Sequence, residues 1–204
     1  MPLKPPEFDH RDVELVSRES VFDGFFTMER LTLRHRLFEG GWSKPLKREL
    51  FRRGDAAAAI LYDPVSDQIG LIEQFRVGAM GMESPWCLEV VAGMKEHEET
   101  PEAVILREIK EEANITPRKL EFITSYLSSP GGMDELIHVY CALCDLSAAG
   151  GVHGLDTESE DIKLHVYDAD SVFDVMLQGR TNNAATLIGL QWLQLHRQSL
   201  RSQV

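Results

Sequence analysis

One short helix with sharp boundaries constrains the fold most, because it lies between two long runs of strand-forming sequence. Thr100-Pro101 predicts its first turn, with threonine as the N-cap and proline at the first helical position. Asn114 predicts its end, since asparagine tolerates the left-handed conformation that closes many helices. Two more helices are predicted over residues 170–177, ended by Gly179, and over residues 184–200. The chain therefore combines three helices with a larger number of strands.

The remaining sequence reads mainly as strands. Apolar and polar residues largely alternate over 27–34, which is typical of a half-buried strand, and Gly40-Gly41 and residues 63–67 predict hairpin turns. The predicted strands cover residues 13–17, 25–38, 46–51, 56–62, 70–76, 86–92, 120–128, 137–145 and 163–167. This mixture predicts an α/β fold with helices on both faces of a mixed sheet. A change of composition near Gly54 predicts an N-terminal antiparallel sheet over 1–53 and a second domain over 54–204.

Net charge and targeting signals narrow the possible partners. The chain has 21 Lys and Arg residues against 33 Asp and Glu residues, a formal net charge of −12. Such a field repels a phosphate backbone, so general nucleic-acid binding is not expected. A small anionic substrate stays compatible with this charge, because bound divalent cations invert the local field. The N-terminus lacks the apolar core of a signal peptide and no stretch approaches a membrane span, so no membrane partner is expected.

The three cysteines, Cys87, Cys141 and Cys144, cannot all pair within one chain. An odd number without a disulfide framework predicts a reducing compartment, and hence a cytoplasmic protein. Cys141 and Cys144 have the spacing of a zinc or redox motif but lie within a predicted strand. Residues three apart on a strand point to opposite faces, so two packed thiols are the favoured interpretation.

Three glutamates on the first helix, Glu108, Glu111 and Glu112, carry the main chemical signal. They are three and four residues apart and therefore share one face, where like charges destabilise a helix by roughly 0.2–0.5 kcal/mol per pair. They also occupy its last turns, where the helix dipole opposes negative charge. A solvated acidic face is the simple alternative. A divalent cation would relieve both penalties, and carboxylate oxygens are the ligands that Mg²⁺ prefers, so metal binding is favoured.

The spacing around these glutamates is more specific than the cluster itself. The chain reads Gly93, five residues, Glu99, seven residues, and then Arg107-Glu108-Ile109-Lys110-Glu111-Glu112-Ala113-Asn114-Ile115. This pattern resembles the Nudix box, G-x5-E-x7-R-E-U-x-E-E-x-G-U with U aliphatic, and departs from it only at Asn114. The resemblance implies a Nudix α/β/α sandwich with a mixed sheet, preceded here by the small N-terminal antiparallel sheet.

The resemblance also implies a set of metal ligands. Glu108, Glu112 and the carbonyl of Ala92 are expected to bind Mg²⁺, with Mn²⁺ as an alternative. Glu111 is expected to be a catalytic carboxylate in the same cluster. Glu99 and Arg107 are expected to pair with each other and orient the helix rather than to take part in the chemistry.

Further features resemble the ADP-ribose pyrophosphatase branch of the family, in its dimeric bacterial form. They are Pro130, sixteen positions after Asn114, the upstream strands at 48–51 and 72–76, and residues 151–154 with the acidic loop 156–161 that follows. The branch implies hydrolysis of ADP-ribose to AMP and ribose 5-phosphate by a homodimer that exchanges its N-terminal sheet. The alternatives are a related nucleotide-sugar diphosphatase, such as one acting on GDP-mannose, and a non-catalytic module that only binds ADP-ribose.

The same branch implies contacts with a nucleoside diphosphate sugar. Phe25 and Arg48 are expected to hold the adenine, Arg76 the diphosphate, and Glu135 is a further substrate-binding residue. Alignment of the acidic loop places Glu158 at the position of the general base. Glu160 is the second candidate for the base and Glu135 the third.

Overall fold

A computed structural model describes residues 2–96, 98–178 and 181–203 and divides the chain into two compact units. The first unit contains the chain up to Gly54 together with Leu127–Glu135. The second contains Asp55–Tyr126 and the chain from Leu136 onwards. The segment Leu127–Glu135 thus belongs with the N-terminal part, although it is far from it in sequence. Gly179, the predicted end of the second helix, lies outside the described residues.

The first unit is built on an antiparallel sheet of three strands, β1 (Val13–Asp23), β2 (Thr27–His35) and β3 (Leu46–Arg52), in that order. The predicted hairpin turn lies between β2 and β3, where Gly40 and Gly41 have φ of 90° and 78°. Glycine reaches this region without steric cost. Every residue of β1 is exposed, so no described part of the chain covers the outer edge of this sheet.

The segment Leu127–Glu135 joins the first unit through the end of β3. The amide of Phe51 donates to the carbonyl of Gly132 over 2.8 Å, and Arg52 forms an ion pair with Asp134 at 2.6 Å. These contacts join residues about eighty positions apart, which is why a division at one sequence boundary does not describe this unit.

The second unit contains an eight-stranded sheet. Its strands are β4 (Ala56–Asp63), β5 (Gln68–Phe75), β6 (Trp86–Glu89), β7 (Val91–Met94), β8 (Lys119–Leu127), β9 (Leu136–Leu143), β10 (Gly151–His153) and β11 (Ile162–Asp168). The order is β10-β11-β5-β4-β9-β8, with β6 paired to β5 and β7 to β4. The β4–β9 pair is parallel and the β4–β5 pair antiparallel, so the sheet is mixed, as expected. The single strand predicted over 86–92 is interrupted at Val90, and β10 was not predicted.

Three helices cover this sheet: α1 (Pro101–Ala113), α2 (Ala169–Leu177) and α3 (Ala184–Arg201). Strand β4 is buried along its whole length, because alternate residues pack into two separate cores. Ala57, Ala59 and Leu61 pack with α1, while Ile60 and Tyr62 pack with α2 and α3. The expected α/β/α sandwich is therefore confirmed.

The cysteines follow the same division. Cys144 lies in the core beneath α1 and Cys141 in the core beneath α2 and α3, so the prediction of two packed thiols is confirmed. Within the described part of the chain, no helix is both long and apolar enough to span a membrane.

Candidate active site

Helix α1 presents its glutamates from a rigid platform. Thr100 caps it by accepting a hydrogen bond from the amide of Ala103 at 3.2 Å, and Asn114 ends it with φ of 52°, both as predicted. Val104 and Ile109 are fully buried against the sheet. Because this packing fixes the rotation of the helix, it also fixes which face carries the glutamates.

Glu108 lies against the backbone of β7. A Cβ atom on Gly93 would come within 1.7 Å of Oε1 of Glu108, far inside any allowed contact. Gly93 therefore leaves the space that this carboxylate occupies, which explains the glycine that begins the sequence pattern. Burial raises the pKa of Glu108 to about 7, although the adjacent Arg107 opposes the shift.

Glu112 is the more buried of the two, with 2% of its surface exposed. Its Oε2 accepts a hydrogen bond from the amide of Ala92 at 3.2 Å. Burial raises the pKa of Glu112 to about 9, and the charges of Glu108 and Glu160 add to the shift. A buried carboxylate whose charged form is disfavoured in this way is stabilised by a bound cation.

Arg107 is the cation that Glu108 and Glu111 contact in the structure. Its guanidinium bonds Glu99 through Nε and Nη2, both at 3.2 Å, in the pairing that the sequence predicted. Its Nη1 donates to Glu108 at 2.7 Å and to Glu111 at 3.1 Å. Across the described residues, no three His, Cys, Asp or Glu side chains are assembled into a metal cluster in this arrangement.

The donor set nonetheless fits a hard divalent cation. It offers two buried carboxylates on adjacent turns, a third carboxylate on the same helix face, and a glycine, Gly93, that lets a carboxylate lie against the backbone. Glu108, Glu112 and the carbonyl of Ala92 are the groups able to hold it. A pocket of about 330 Å³ lies instead beyond the C-terminal end of α1, between Asn114 and His153, and includes none of these carboxylates.

The acidic loop follows β10 and lies near α1. The amide of Gly154 donates to the carbonyl of Glu111 at 3.4 Å, just before the loop begins. Glu160 is partly buried, and its Oε2 accepts from the amide of Leu155 at 3.2 Å. Glu158 is exposed and ends a single 3₁₀ turn, Asp156–Glu158. The structure thus brings the charge of Glu160, rather than that of Glu158, closest to the buried helix carboxylates.

Arg76 faces the same carboxylates from the end of β5. Its positive charge lowers the pKa of Glu112, in opposition to burial. Its Nε donates to Oε2 of Glu89 at 2.8 Å. Sequence reasoning missed Glu89, whose signal is a single carboxylate within the otherwise apolar stretch 86–92.

The remaining expected site residues belong to the first unit. Phe25 is 88% exposed and packs edge-on against Phe26, with ring centroids 4.7 Å apart. Arg48 is exposed and donates to the carbonyl of Lys47 at 2.8 Å. Glu135 is buried and its carboxylate forms an ion pair with Arg53, which leaves it less available for substrate than the sequence suggested.

Comparison with known proteins decides the family. A family model described as the NUDIX domain matches residues 52–187, about two thirds of the chain. The chain belongs to the NUDIX family. The match includes helix α1, the acidic loop, β7 with Ala92, and Arg76 directly after β5.

Relatives in the NUDIX family are similar over nearly the whole length. The ADP-ribose pyrophosphatase of Escherichia coli strain K12 is 42% identical over 200 residues, covering 98% of this chain and 96% of the relative. That of Haemophilus influenzae is 43% identical over 198 residues, covering 95% and 91%. The GDP-mannose pyrophosphatase of Cronobacter sakazakii is 31% identical over 186 residues, covering 90% and 96%.

A solved structure described as an ADP compounds hydrolase superposes with a TM-score of 0.69, over 94% of this chain and 96% of that one. At 21% identity this likeness shows the fold alone. Together the matches confirm the family and the fold class expected from the sequence, and the expected resemblance to ADP-ribose pyrophosphatases.

Proposed function

We propose that this chain hydrolyses the diphosphate bond of ADP-ribose to AMP and ribose 5-phosphate, with Mg²⁺ as its metal and Mn²⁺ as an alternative. One observation carries the proposal. Glu108 and Glu112 are buried on one helix face, with pKa values raised to about 7 and 9, in a chain 42% identical to ADP-ribose pyrophosphatases. Burying two carboxylates that close together is costly unless a divalent cation joins them.

Glu108, Glu112 and the carbonyl of Ala92 would hold the metal in this proposal. A bound metal would supply positive charge to neutralise the diphosphate and to activate the attacking water. Glu111 adds negative charge to the same face. Arg107 keeps Glu99 as its partner and orients the helix end. The substrate carries negative charge into a chain of net charge −12, so these neutralising groups are needed for binding as well as for catalysis.

Arg76 contacts the diphosphate through the end of its guanidinium. Nε is held by Glu89, and within the described residues neither Nη group donates to the protein. Planar, forked donors suit phosphate oxygens. Water attacks one phosphorus, the bridging P–O bond breaks, and the proton of the water passes to a carboxylate of the acidic loop.

Glu158 is that base in the proposal. It is exposed at the end of a short turn, and its side chain is therefore available to a substrate lying over α1. Glu160 instead bonds the amide of Leu155 and shapes the loop. Glycines with positive φ at 150, 151 and 154 precede the loop and would allow it to close over substrate.

The first unit serves assembly and adenine binding in this proposal. The N-terminal sheet over 1–53 pairs with a second copy of the chain and supplies Phe25 and Arg48 to the adenine site. Exposed Leu15, Val16 and Phe22 along β1 support the pairing, since an uncovered apolar strand favours association. Sedimentation analysis of the full chain should give a homodimer, and a fully active monomer would contradict it.

The location of the protein is a separate part of the proposal. The buried, unpaired cysteines support a cytoplasmic location.

A substrate panel tests the function. Purified protein with Mg²⁺ is incubated with ADP-ribose and with GDP-mannose, and the release of AMP and of GMP is measured. Preferred release of AMP is expected. Preferred release of GMP would favour the activity of the relatives at 31% identity. Binding of ADP-ribose without release of AMP would indicate a non-catalytic module.

A further inference from the structure

A chain of hydrogen bonds links Arg76 to the first turn of α3. Arg76 Nε donates to Oε2 of Glu89 at 2.8 Å, and Asn183 Nδ2 donates to Oε1 of Glu89 at 3.1 Å. Both oxygens of Glu89 are therefore engaged, and the residue is only 5% exposed. A buried carboxylate held from both sides fixes the orientation of each partner.

The chain continues through the cap of α3 into the backbone of the site. Asn183 Oδ1 accepts from the amide and the hydroxyl of Thr186, at 3.0 and 3.1 Å. The Oγ1 of Thr186, a fully buried residue, accepts from the amide of Val90 at 3.1 Å. Val90 lies at the break between β6 and β7, two residues before Ala92. The first turn of α3 thus holds both the arginine and the strand that presents the carbonyl of Ala92.

Stability alone does not explain this arrangement. The side chain of Arg76 is 39% exposed, whereas that of Glu89 is 7% exposed. An ion pair with one buried and one solvated partner recovers little of the cost of desolvating the carboxylate. Among the residues that the structure describes, the guanidinium is held through Nε and the Nη groups have no protein acceptor, which leaves them available for a ligand. Because a free arginine side chain loses rotamer entropy when a ligand orders it, anchoring it beforehand lowers the cost of binding.

We propose that Glu89, Asn183 and Thr186 form a positioning network that holds Arg76 ready for the diphosphate of the substrate. The proposal rests on the function of Arg76 proposed above and assigns a role to a helix outside the sequence motif. None of the three residues needs to touch the substrate. They act through Arg76 and through the backbone at Val90.

Asn183→Asp separates positioning from helix capping. Aspartate caps a helix as well as asparagine does, so α3 is retained. The variant replaces the amide that donates to Glu89 by a carboxylate that repels it. We expect KM for ADP-ribose to rise about tenfold with little change in kcat, because the contact of Arg76 serves substrate and transition state alike. Asn182→Asp makes the same charge change at an exposed neighbour and should leave KM unchanged.

A second substitution should rescue the first. In the double variant Glu89→Gln/Asn183→Asp, the NH2 group of the new glutamine donates to the new aspartate. The side-chain oxygen of that glutamine accepts from Arg76 Nε. Both hydrogen bonds of residue 89 are therefore restored, and the one between residues 89 and 183 now has its donor at residue 89. We expect each single variant to raise KM about tenfold and the double variant to return within about threefold of the wild type. In an Arg76→Ala background, Asn183→Asp should not raise KM further.

Equal KM values for Asn183→Asp and Asn182→Asp would overturn the network, as would a double variant no better than its parents. Failure of the proposed function would be seen in the wild-type protein itself, without any comparison of variants. Wild-type protein active only on GDP-mannose overturns the substrate assignment, and the same KM comparison is then made with GDP-mannose. Wild-type protein that neither hydrolyses nor, by calorimetry, binds either nucleotide sugar overturns both proposals.

Discussion

The carboxyl groups of helix α1 and those of the acidic loop are chemically alike but lie in opposite environments. Glu112 is 2% exposed and burial raises its pKa to about 9, whereas Glu158 is exposed on a single turn. The helix carboxylates are fixed by core packing, while the loop is attached through glycines. The difference suggests a division of labour in which the helix holds the metal and the loop delivers the base.

Among the substitutions that test this division of labour, Glu112→Gln should lower turnover the most. The substitution keeps the shape of the side chain and removes the charge of one metal ligand. Turnover should fall by about 10⁴-fold, because several kcal/mol of metal-dependent stabilisation are lost at 1.4 kcal/mol per factor of ten. Steady-state kinetics with Mg²⁺ measures the loss. The metal-free protein should melt at a slightly higher temperature at neutral pH, because a carboxylate whose pKa is raised to about 9 must take up a proton on folding and glutamine need not. Near-normal turnover would rule out Glu112 as a ligand.

Glu158→Gln tests the other half of the comparison. Removing a positioned base should lower kcat by about 10²–10⁴-fold, with substrate affinity largely retained. Glu160→Gln is the matched control in the same loop and should cost about tenfold or less, because Glu160 supports the loop through Leu155. The reverse pattern, with Glu160→Gln inactive and Glu158→Gln nearly normal, would move the base to Glu160, whose charge already reaches Glu112.

Gly93→Ala sharpens the account of the helix carboxylates. The added Cβ would lie 1.7 Å from Oε1 of Glu108, so the carboxylate must move away. Misplacement on this scale should lower kcat by about 10²-fold while the protein still folds, because the displaced group is a side-chain end. Gly81→Ala is the control, since no atom lies within 4 Å of its added Cβ. Equal activity of the two variants would show that the position of Glu108 is not critical.

The smallest expected effect concerns the end of α1. Asn114 has φ of 52°, a conformation that glycine adopts without strain. Asn114→Gly should therefore stabilise the protein by about 0.5 kcal/mol, and Asn114→Ala should destabilise it by about 1 kcal/mol. Thermal or denaturant unfolding measures both. Similar stabilities of the two variants would mean that the helix end relaxes out of this conformation.

Local signals explain what could be predicted from the sequence. Thr100, Asn114 and the spacing of the glutamates determine helix α1 and its chemical face, and all three depend on residues within a few turns of each other. The continuous apolar run 56–62 likewise predicts a strand, and the structure buries this strand on both faces. The remaining elements of the sandwich were expected from the resemblance to the Nudix box, and the family match over residues 52–187 confirms that expectation.

The missed features depend on long-range contacts. Glu89 meets Asn183 across 94 positions, and Phe51 meets Gly132 across the boundary predicted near Gly54. The break at Val90 exists because Thr186, 96 residues away, takes its amide. Glu158 and Glu160 are indistinguishable by composition, and the structure separates them by burial and by the hydrogen bond that Glu160 accepts from the amide of Leu155. No periodicity within one segment could reveal such pairs.

The affinity for Mg²⁺ of the wild type and of two variants tests most directly whether the helix holds the metal and the loop supplies the base. Mg²⁺ is titrated calorimetrically, with AMP present, into the wild type, Glu112→Gln and Glu158→Gln. Wild type and Glu158→Gln should bind Mg²⁺ with the same affinity, although only the wild type turns over. Glu112→Gln should bind at least about tenfold more weakly. Unchanged affinity in Glu112→Gln, or loss of Mg²⁺ binding in Glu158→Gln, would contradict the assignment of the metal to the helix and the base to the loop.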